Sequence, residues 1–309
     1  MKALVTGGAG FIGSHIAARL LAEGHEVVVY DNFTTGREAN LAPLGGAAEV
    51  VHADVRDAPR LEWHMAGCEV VFHQAAIVSV PYSIEQPQES HDVNIQGTLN
   101  VLQAARRVGT RRVVFASSAA VYGEEPGQPK HEGLVPSPIS PYGLEKLAGE
   151  HYLAVWARLF GVETVALRYF NVFGPRQDRR SPYSGVISIF VDRLRRGVPV
   201  TVFGDGEQYR DFVSVANVVE ANWRAATVPH ISGRVYNIAC GRKTSLNELA
   251  ATLSRLAGRP LAVEHGPPRA GDIRESLADI RRARAELGYE PQVGVEEGLR
   301  ALLAYEERG

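Results

Sequence analysis

The sequence predicts an α/β protein, a doubly wound parallel sheet followed by a smaller α+β lobe. Three observations carry that expectation. Short β-branched runs alternate with longer amphipathic stretches through the first half of the chain, as successive βαβ units require. Three glycines, Gly7, Gly10 and Gly13, separate the first such run from the first amphipathic stretch. After about Tyr169 the pattern turns irregular, with turns at Gly174-Pro175, Gly204-Asp205-Gly206 and Gly266-Pro267-Pro268.

Taken in order, strands are expected at residues 2–6, 26–30, 49–53, 70–74, 112–116 and 163–168. Helices are expected at 13–23, 94–108 and 142–160, where apolar residues recur at three- and four-residue spacing. Right-handed crossovers stack these units into one sheet whose ligand crevice lies at the carboxyl ends of the strands. Residues 213–226 read as a helix and 234–238 as a strand. One domain is therefore expected from residues 1–168, rejoined by about 213–238, and a second from 169–309.

The bulk numbers exclude several classes. At 309 residues, with 45% hydrophobic and 22% charged side chains, the chain is an ordinary globular one, too long for a single small core. A net charge of -2 offers no basic field for nucleic acid or an acidic membrane, so an anionic ligand must be met by a few placed arginines. The two cysteines, Cys68 and Cys240, make no disulfide framework, and a strand pattern beginning at Ala3 leaves no room for a signal peptide. A reducing cytoplasm is the expected compartment. No apolar stretch approaches the roughly 20 residues that span a bilayer.

The glycines form G-x-x-G-x-x-G between an apolar strand and an amphipathic helix, where missing side chains let the backbone approach a pyrophosphate at the helix N-terminus. A tight turn with no ligand has the same spacing, so context decides. Asp31 ends the second strand, where an acidic residue hydrogen-bonds the adenine ribose hydroxyls and repels a 2′-phosphate. The expected ligand is a dinucleotide, NAD in preference to NADP, with Arg37 six residues on keeping NADP open. Asp54-Val55, after the third strand, either meets the adenine or forms a solvated turn.

Ser118 follows the fifth strand, and Ser140-Pro141 caps a helix that carries Tyr142 and Lys146 on one face. A phenol with a pKa of about 10 is a poor base near neutrality. An adjacent ammonium and a positively charged nicotinamide both favour the phenolate, and Ser118 can bridge it to a substrate hydroxyl. In isolation, tyrosine and lysine at this spacing describe a core aromatic and a solvated lysine. Behind a dinucleotide turn and a strand-end serine, they describe a general base and its support.

These landmarks join others: His73-Gln74-Ala75-Ala76, 94–98, Ser117-Ser118-Ala119-Ala120-Val121-Tyr122-Gly123, Tyr142-Gly143-Leu144-Glu145-Lys146 and Arg168-Tyr169-Phe170-Asn171-Val172-Phe173-Gly174-Pro175. Over nearly its whole length the chain resembles the extended short-chain dehydrogenase/reductases of the nucleotide-sugar type, and among them the UDP-glucose 4-epimerase family. The resemblance implies a Rossmann sheet and catalysis by Ser118, Tyr142 and Lys146. It implies NAD contacts from Gly7, Gly10, Phe11, Ile12, Gly13, Asp31, Asn32, Gly36, Asp54, Val55, Gln74, Ala75, Ala76, Asn94, Tyr142, Lys146 and Tyr169, and no metal. Dehydratases and decarboxylases of this type carry an acidic residue just before their Val/Leu-Tyr-Gly, where this chain has Ala119-Ala120. That leaves oxidation at C4 and return of the hydride, with NAD held tightly and recycled.

By the same resemblance Asn171, Arg210 and Arg269 meet a UDP diphosphate, Thr201 and Phe203 hold uracil, and Asp272 lies near its ribose. Each alone reads equally as a surface ion-pair partner, and Phe203 as core. Ser79, Gln177, Gly185 and Val186 complete the expected UDP-sugar site. Ser276 takes the position where a large tyrosine would exclude a C2 substituent, and so leaves room for an N-acetyl group. A homodimer through 94–107 and 142–160 is the family expectation, although the intramolecular core can also use up those apolar stripes. The rivals are another nucleotide-sugar reaction, such as a net dehydrogenase or a dehydratase, and a nucleotide-sensing protein without turnover.

Overall fold

A computed structural model describes residues 1–178, 185–268 and 274–308. Its centre is a sheet of seven strands, β1 (Lys2–Thr6), β2 (Glu26–Asp31), β3 (Glu49–His52), β4 (Val70–His73), β5 (Arg112–Ser118), β6 (Glu163–Tyr169) and β7 (Arg234–Ile238). The order across the sheet is β7-β6-β5-β4-β1-β2-β3, and every neighbouring pair is parallel. Strands such as Val27-Val28-Val29 and Val113-Val114-Phe115 are apolar at consecutive positions because helices cover both faces. Two core clusters record this, one around Val5, Val29, Phe72 and Val114, the other around Leu4, Val28, Val71 and Phe115.

The chain moves outward from β1 in both directions, so a crevice opens at the carboxyl ends of β1 and β4. Three helices border it. Phe11–Ala22 follows the glycine turn. Pro87–His91, Asp92–Gln96 and Gly97–Val108 run on as one helix with a π turn in its middle. Pro141–Phe160 starts where the Ser140 hydroxyl accepts the Gly143 N–H and stops at Gly161, whose φ is 69°.

Later in the chain the elements shorten. Asn171–Phe173 pairs with Phe212–Ser214, Val200–Phe203 with Val263–Gly266, and Tyr209–Arg210 with Thr244–Ser245. With helices Val186–Arg196, Leu246–Ala257 and Val295–Arg308 they enclose a third core of Phe173, Phe190, Val191, Phe212, Leu249 and Leu299. The expected helix from 213 begins at Val215 instead. Val213 belongs to the strand Phe212–Ser214, and the Ser214 hydroxyl caps the helix by accepting the Ala216 N–H. Buried Asp211 staples this region, its carboxylate accepting the N–H groups of Cys240, Gly241 and Ala278. Among the described residues no helix is long and apolar enough to cross a membrane.

One buried ion pair fixes the Pro141–Phe160 helix to the sheet. Glu150 accepts Arg168 Nε at 2.9 Å and Nη2 at 2.7 Å, and also takes the Ser117 hydroxyl. Both charged side chains are 5% exposed. Removing one partner leaves the other charge buried and unpaired, which costs about 3–5 kcal/mol. Glu150→Ala is expected to lower the unfolding free energy by about that amount in urea titrations, and a loss below about 1 kcal/mol would contradict this role for the pair.

Candidate active site at the carboxyl ends of the strands

The residues expected to do chemistry sit on one rim, because β2 ends at Asp31, β4 at His73, β5 at Ser118 and β6 at Tyr169. Ser118 and Tyr169 are register partners. The glycine turn below them admits no side chains: a Cβ on Gly13 would lie 2.2 Å from the Gly7 carbonyl oxygen, and one on Gly7 2.7 Å from the Ala75 nitrogen. Gly10 is the N-cap of Phe11–Ala22 and offers no side-chain acceptor, so the first-turn N–H groups, including those of Phe11 and Ile12, are left for a ligand.

The dinucleotide expected here fits these residues. Asp31 accepts the Ala9 N–H at 2.9 Å on one oxygen and the Phe33 N–H at 2.8 Å on the other, which leaves each oxygen a lone pair for a ribose hydroxyl. A Cβ on Gly36 would lie 2.7 Å from that carboxylate. Beside it, Asn32 donates to Asp54 at 2.8 Å and Arg56 pairs with Asp54 at 2.7 Å. The Arg56 side-chain hydrogen bond is the main reason that the Asp54 carboxyl falls to about 2, and the carboxylate also accepts the Arg56 N–H at 2.9 Å in a turn. Val55 is buried, tight against Gly97. Arg37 is held at 2.6 Å by Asp178, which neutralises the one cation that kept a 2′-phosphate open. The same loop touches the glycine-turn helix through Arg176 to Ser14 at 3.2 Å and His15 to the Pro175 carbonyl at 3.0 Å.

Across the crevice, Tyr169 accepts the Asn222 amide at 2.7 Å, and Gln74 lies 3.3 Å from both Tyr169 Oη and Asn222 Oδ1. Burial raises the Tyr169 phenol far above its ordinary value, so it stays neutral. Behind Ala75 and Ala76 runs a hydrogen-bond chain whose directions follow from its ends. The Ala75 N–H goes to Thr6 Oγ1, Thr6 meets His73 Nδ1 at 2.7 Å, His73 Nε2 meets Thr98 Oγ1 at 3.0 Å, and Thr98 donates to the Asn94 carbonyl. Because the Thr98 proton is committed, His73 must carry its hydrogen on Nε2 and accept from Thr6 on Nδ1. Asn94 sits in the π turn with both amide hydrogens taken, by the Ile77 carbonyl at 2.9 Å and Glu145 at 2.7 Å, while its oxygen accepts the Ile77 N–H. It thereby holds the loop after Ala76.

Tyr142 is fixed at its backbone by Ser83, whose hydroxyl accepts the Tyr142 N–H at 3.2 Å. Its phenol faces Ser118, near enough for that hydroxyl to favour the phenolate. Ser118 already accepts the Ala120 N–H at 3.1 Å, so its own proton is available to the phenol oxygen. Burial raises the Tyr142 phenol, the Ser118 bond lowers it, and the Glu145 charge raises it. Burial lowers the Lys146 ammonium to about 8, against the raising effect of Glu145. That ammonium lies 4.9 Å from the centre of the Phe115 ring and 5.8 Å from that of Tyr142.

The expected sugar-nucleotide residues lie on separate segments. The Ser79 hydroxyl caps Val80–Glu85 by accepting the Tyr82 N–H. Asn171 is exposed on its short strand. Thr201 and Phe203 point outward while Val200 and Val202 enter the core, so Phe203, 36% exposed, is not a core residue. Gly185 and Val186 start a helix with no side-chain cap, near Gln177, whose buried Oε1 has no hydrogen-bond partner among the described residues. Ser276 is half-buried and donates its N–H to the Tyr209 carbonyl at 3.2 Å, beside Arg210. Arg269 and Asp272 fall outside the described residues. Sequence reasoning missed Ser83, Glu145, Glu150, Arg176 and Asn222; only Glu145, inside the Tyr142–Lys146 motif, was within reach of its signal.

Comparison with known proteins agrees with this geometry. A model of the NAD dependent epimerase/dehydratase family matches residues 3–239. A UDP-glucose 4-epimerase of Mycolicibacterium smegmatis is 42% identical over 304 residues, covering 97% of this chain and 96% of that protein. Among solved structures, a UDP-N-acetylglucosamine 4-epimerase from Methanobrevibacter ruminantium, in complex with UDP-N-acetylmuramic acid, superposes with a TM-score of 0.95 at 37% identity, covering 99% of this chain and 98% of that one. A Thermus thermophilus UDP-glucose 4-epimerase in complex with NAD gives 0.89 at 39% identity, with 99% of each chain covered.

Burial brings His73 down to about 3, with the Lys146 charge adding to the effect. Nitrogen-15 NMR of histidine-labelled protein should therefore show His73 as a neutral Nε2–H tautomer from pH 5 to 8. Protonation within that range would break the assigned chain.

Proposed function

The chain belongs to the NAD dependent epimerase/dehydratase family, and on that premise we propose that it interconverts UDP-hexoses at C4 through a transient 4-keto sugar. Its cofactor is NAD. The observation that carries the proposal is the buried pairing of Tyr142 with Ser118 at the end of β5, with Lys146 one helical turn away. Support also comes from Ala119-Ala120, where no acid stands ready to protonate a leaving hydroxyl.

In this reading residues 1–168, rejoined by about 213–238, hold the cofactor, and 169–309 hold the UDP-sugar. When bound, NAD would supply a reversible hydride acceptor for C4 of the sugar, so that the hydride could return to the opposite face of the 4-ketose. Tyr142, as phenolate, removes the 4′-hydroxyl proton while Ser118 hydrogen-bonds the reacting oxygens, and the same phenol later returns the proton. Lys146 supplies the nearby positive charge that makes the phenolate accessible. Arg210 and Arg269 are assigned to the diphosphate, a task that paired guanidinium donors suit, together with Asn171 and the uncapped helix start at Gly185. The hexose is held less firmly, since the 4-ketose must turn over between the two hydride transfers. No net redox change occurs, so the cofactor is retained and recycled. Exposed Leu144 and Leu159, 58% and 61% accessible, fit burial of the Pro141–Phe160 helix in a homodimer.

The small Ser276 supports acceptance of N-acetylated sugars as well as UDP-glucose and UDP-galactose. The test is incubation with all four UDP-sugars without added NAD, followed by separation of C4 epimers. Loss of mass or stoichiometric NADH release would sink the proposal in favour of a dehydratase or net dehydrogenase. Tyr142→Phe is expected to lower kcat by about 10²–10⁴-fold, the usual contribution of a general base, with the cofactor still bound; near-normal turnover would refute the assignment. Ser276→Tyr is expected to reduce kcat/KM for the N-acetylated pair by at least about tenfold and to spare UDP-glucose. Equal effects on both pairs would remove Ser276 from the specificity argument.

A further inference from the structure

Among the buried charges near the rim, one has no part in the chemistry above. Glu145 is 6% exposed and Lys146, the next residue, 3%. They do not form an ion pair. The Glu145 carboxylate instead accepts the Ser90 hydroxyl at 2.7 Å and the Asn94 amide at 2.7 Å, both neutral donors from the neighbouring helix. Lys146 has no hydrogen-bond partner among the described residues, and its ammonium lies against the faces of Phe115 and Tyr142. A buried cation over two rings, with an anion one residue away held by neutral donors, is an arrangement that packing alone does not require. An apolar side chain would join the same helices without burying a charge.

We propose that Glu145 is a positioning residue whose negative charge sets the pH range over which Tyr142 and Lys146 work; the catalytic part of this inference rests on the proposed C4 chemistry. β4 presents His73, which is neutral, and β5 presents Phe115 and Ser118. The segment Val80–Glu85 presents Ser83. The helix that holds Ser90 and Asn94 also carries exposed Glu89 and half-buried Asp92, which are bonded to Tyr82 and Gln88. Glu145 is therefore the one anion facing the pair among the described residues. Its charge stabilises the ammonium in a place from which water is excluded, and it keeps the phenol protonated to a higher pH than burial alone would. Both effects have the same sign, so losing the charge moves both ionisations downward.

Glu145→Gln is the direct test, because Ser90 and Asn94 donate to the same carboxylate oxygen and an amide oxygen in its place still accepts from both. Glu145→Ser removes the charge without a new amide, in case the first variant disturbs packing. Tyr142 ionisation is read without turnover as the tyrosinate absorbance difference between each protein and its Tyr142→Phe counterpart, alongside the pH profile of kcat. Both limbs of the profile and the tyrosinate midpoint are expected to fall by about one pH unit. Glu145→Asp should restore them to within about 0.3 unit of the parent. A moved midpoint in proteins that turn over no UDP-sugar would support the role of Glu145 while defeating the C4 proposal. Unmoved midpoint and limbs, with only kcat or Tm reduced, would overturn it and leave Glu145 as a link between two helices.

Discussion

The clamp of Glu150 on Arg168 and Ser117 is the interaction from which the rest of the site takes its position. It ties the Pro141–Phe160 helix to β5 and β6 at the residues just before Ser118 and Tyr169. Tyr142 stands eight positions earlier on that helix, about 12 Å along its axis, where it reaches Ser118. At the other end of that span Ser140 and Ser83 bind the first-turn N–H groups. A phenol and an ammonium thus meet at a strand end by virtue of a buried salt bridge two turns away. A flexible attachment would lose this geometry, because hydrogen bonds weaken steeply with misalignment.

The site places neutral and charged groups in separate layers. Thr6, His73, Thr98 and Asn94 form a neutral chain that connects the end of β1 with the π turn of the Asn94 helix. From Asn94 the contacts pass to Glu145 and so to the Tyr142 and Lys146 pair. The end of β1 and Glu145, far apart in sequence, are in this way linked by hydrogen bonds, and Glu145 acts on the proton-handling pair through its charge. Such a network specifies a single arrangement when its members are satisfied, as Thr6, His73, Thr98 and Asn94 are.

Much of this was legible in the sequence because it depends on local rules. The βαβ alternation, the glycine spacing and the serine cap with proline at the first helical position each have a mechanism that acts within a few residues. Strand ends were placed within two residues, and the sheet gained the late strand at 234–238 that the β-branched pattern indicated. Less legible were Glu150 and Asn222. A polar residue in a helix ordinarily marks the solvated face, and only the fold reveals that these face a sheet or another helix. The π turn at Asp92–Gln96 breaks the 3.6-residue period by which helices are recognised. The two- to four-residue strands after Phe170 are too short for alternation to register.

The central claim is that one enzyme-held cofactor takes a hydride from C4 and returns it to the same carbon. UDP-galactose deuterated at C4, incubated with the purified protein in ordinary water without added NAD, tests it most directly. The account predicts UDP-glucose that keeps the deuterium at C4, with no change in mass and no NADH released. Loss of the label to solvent, or a product lighter by one water, would contradict it.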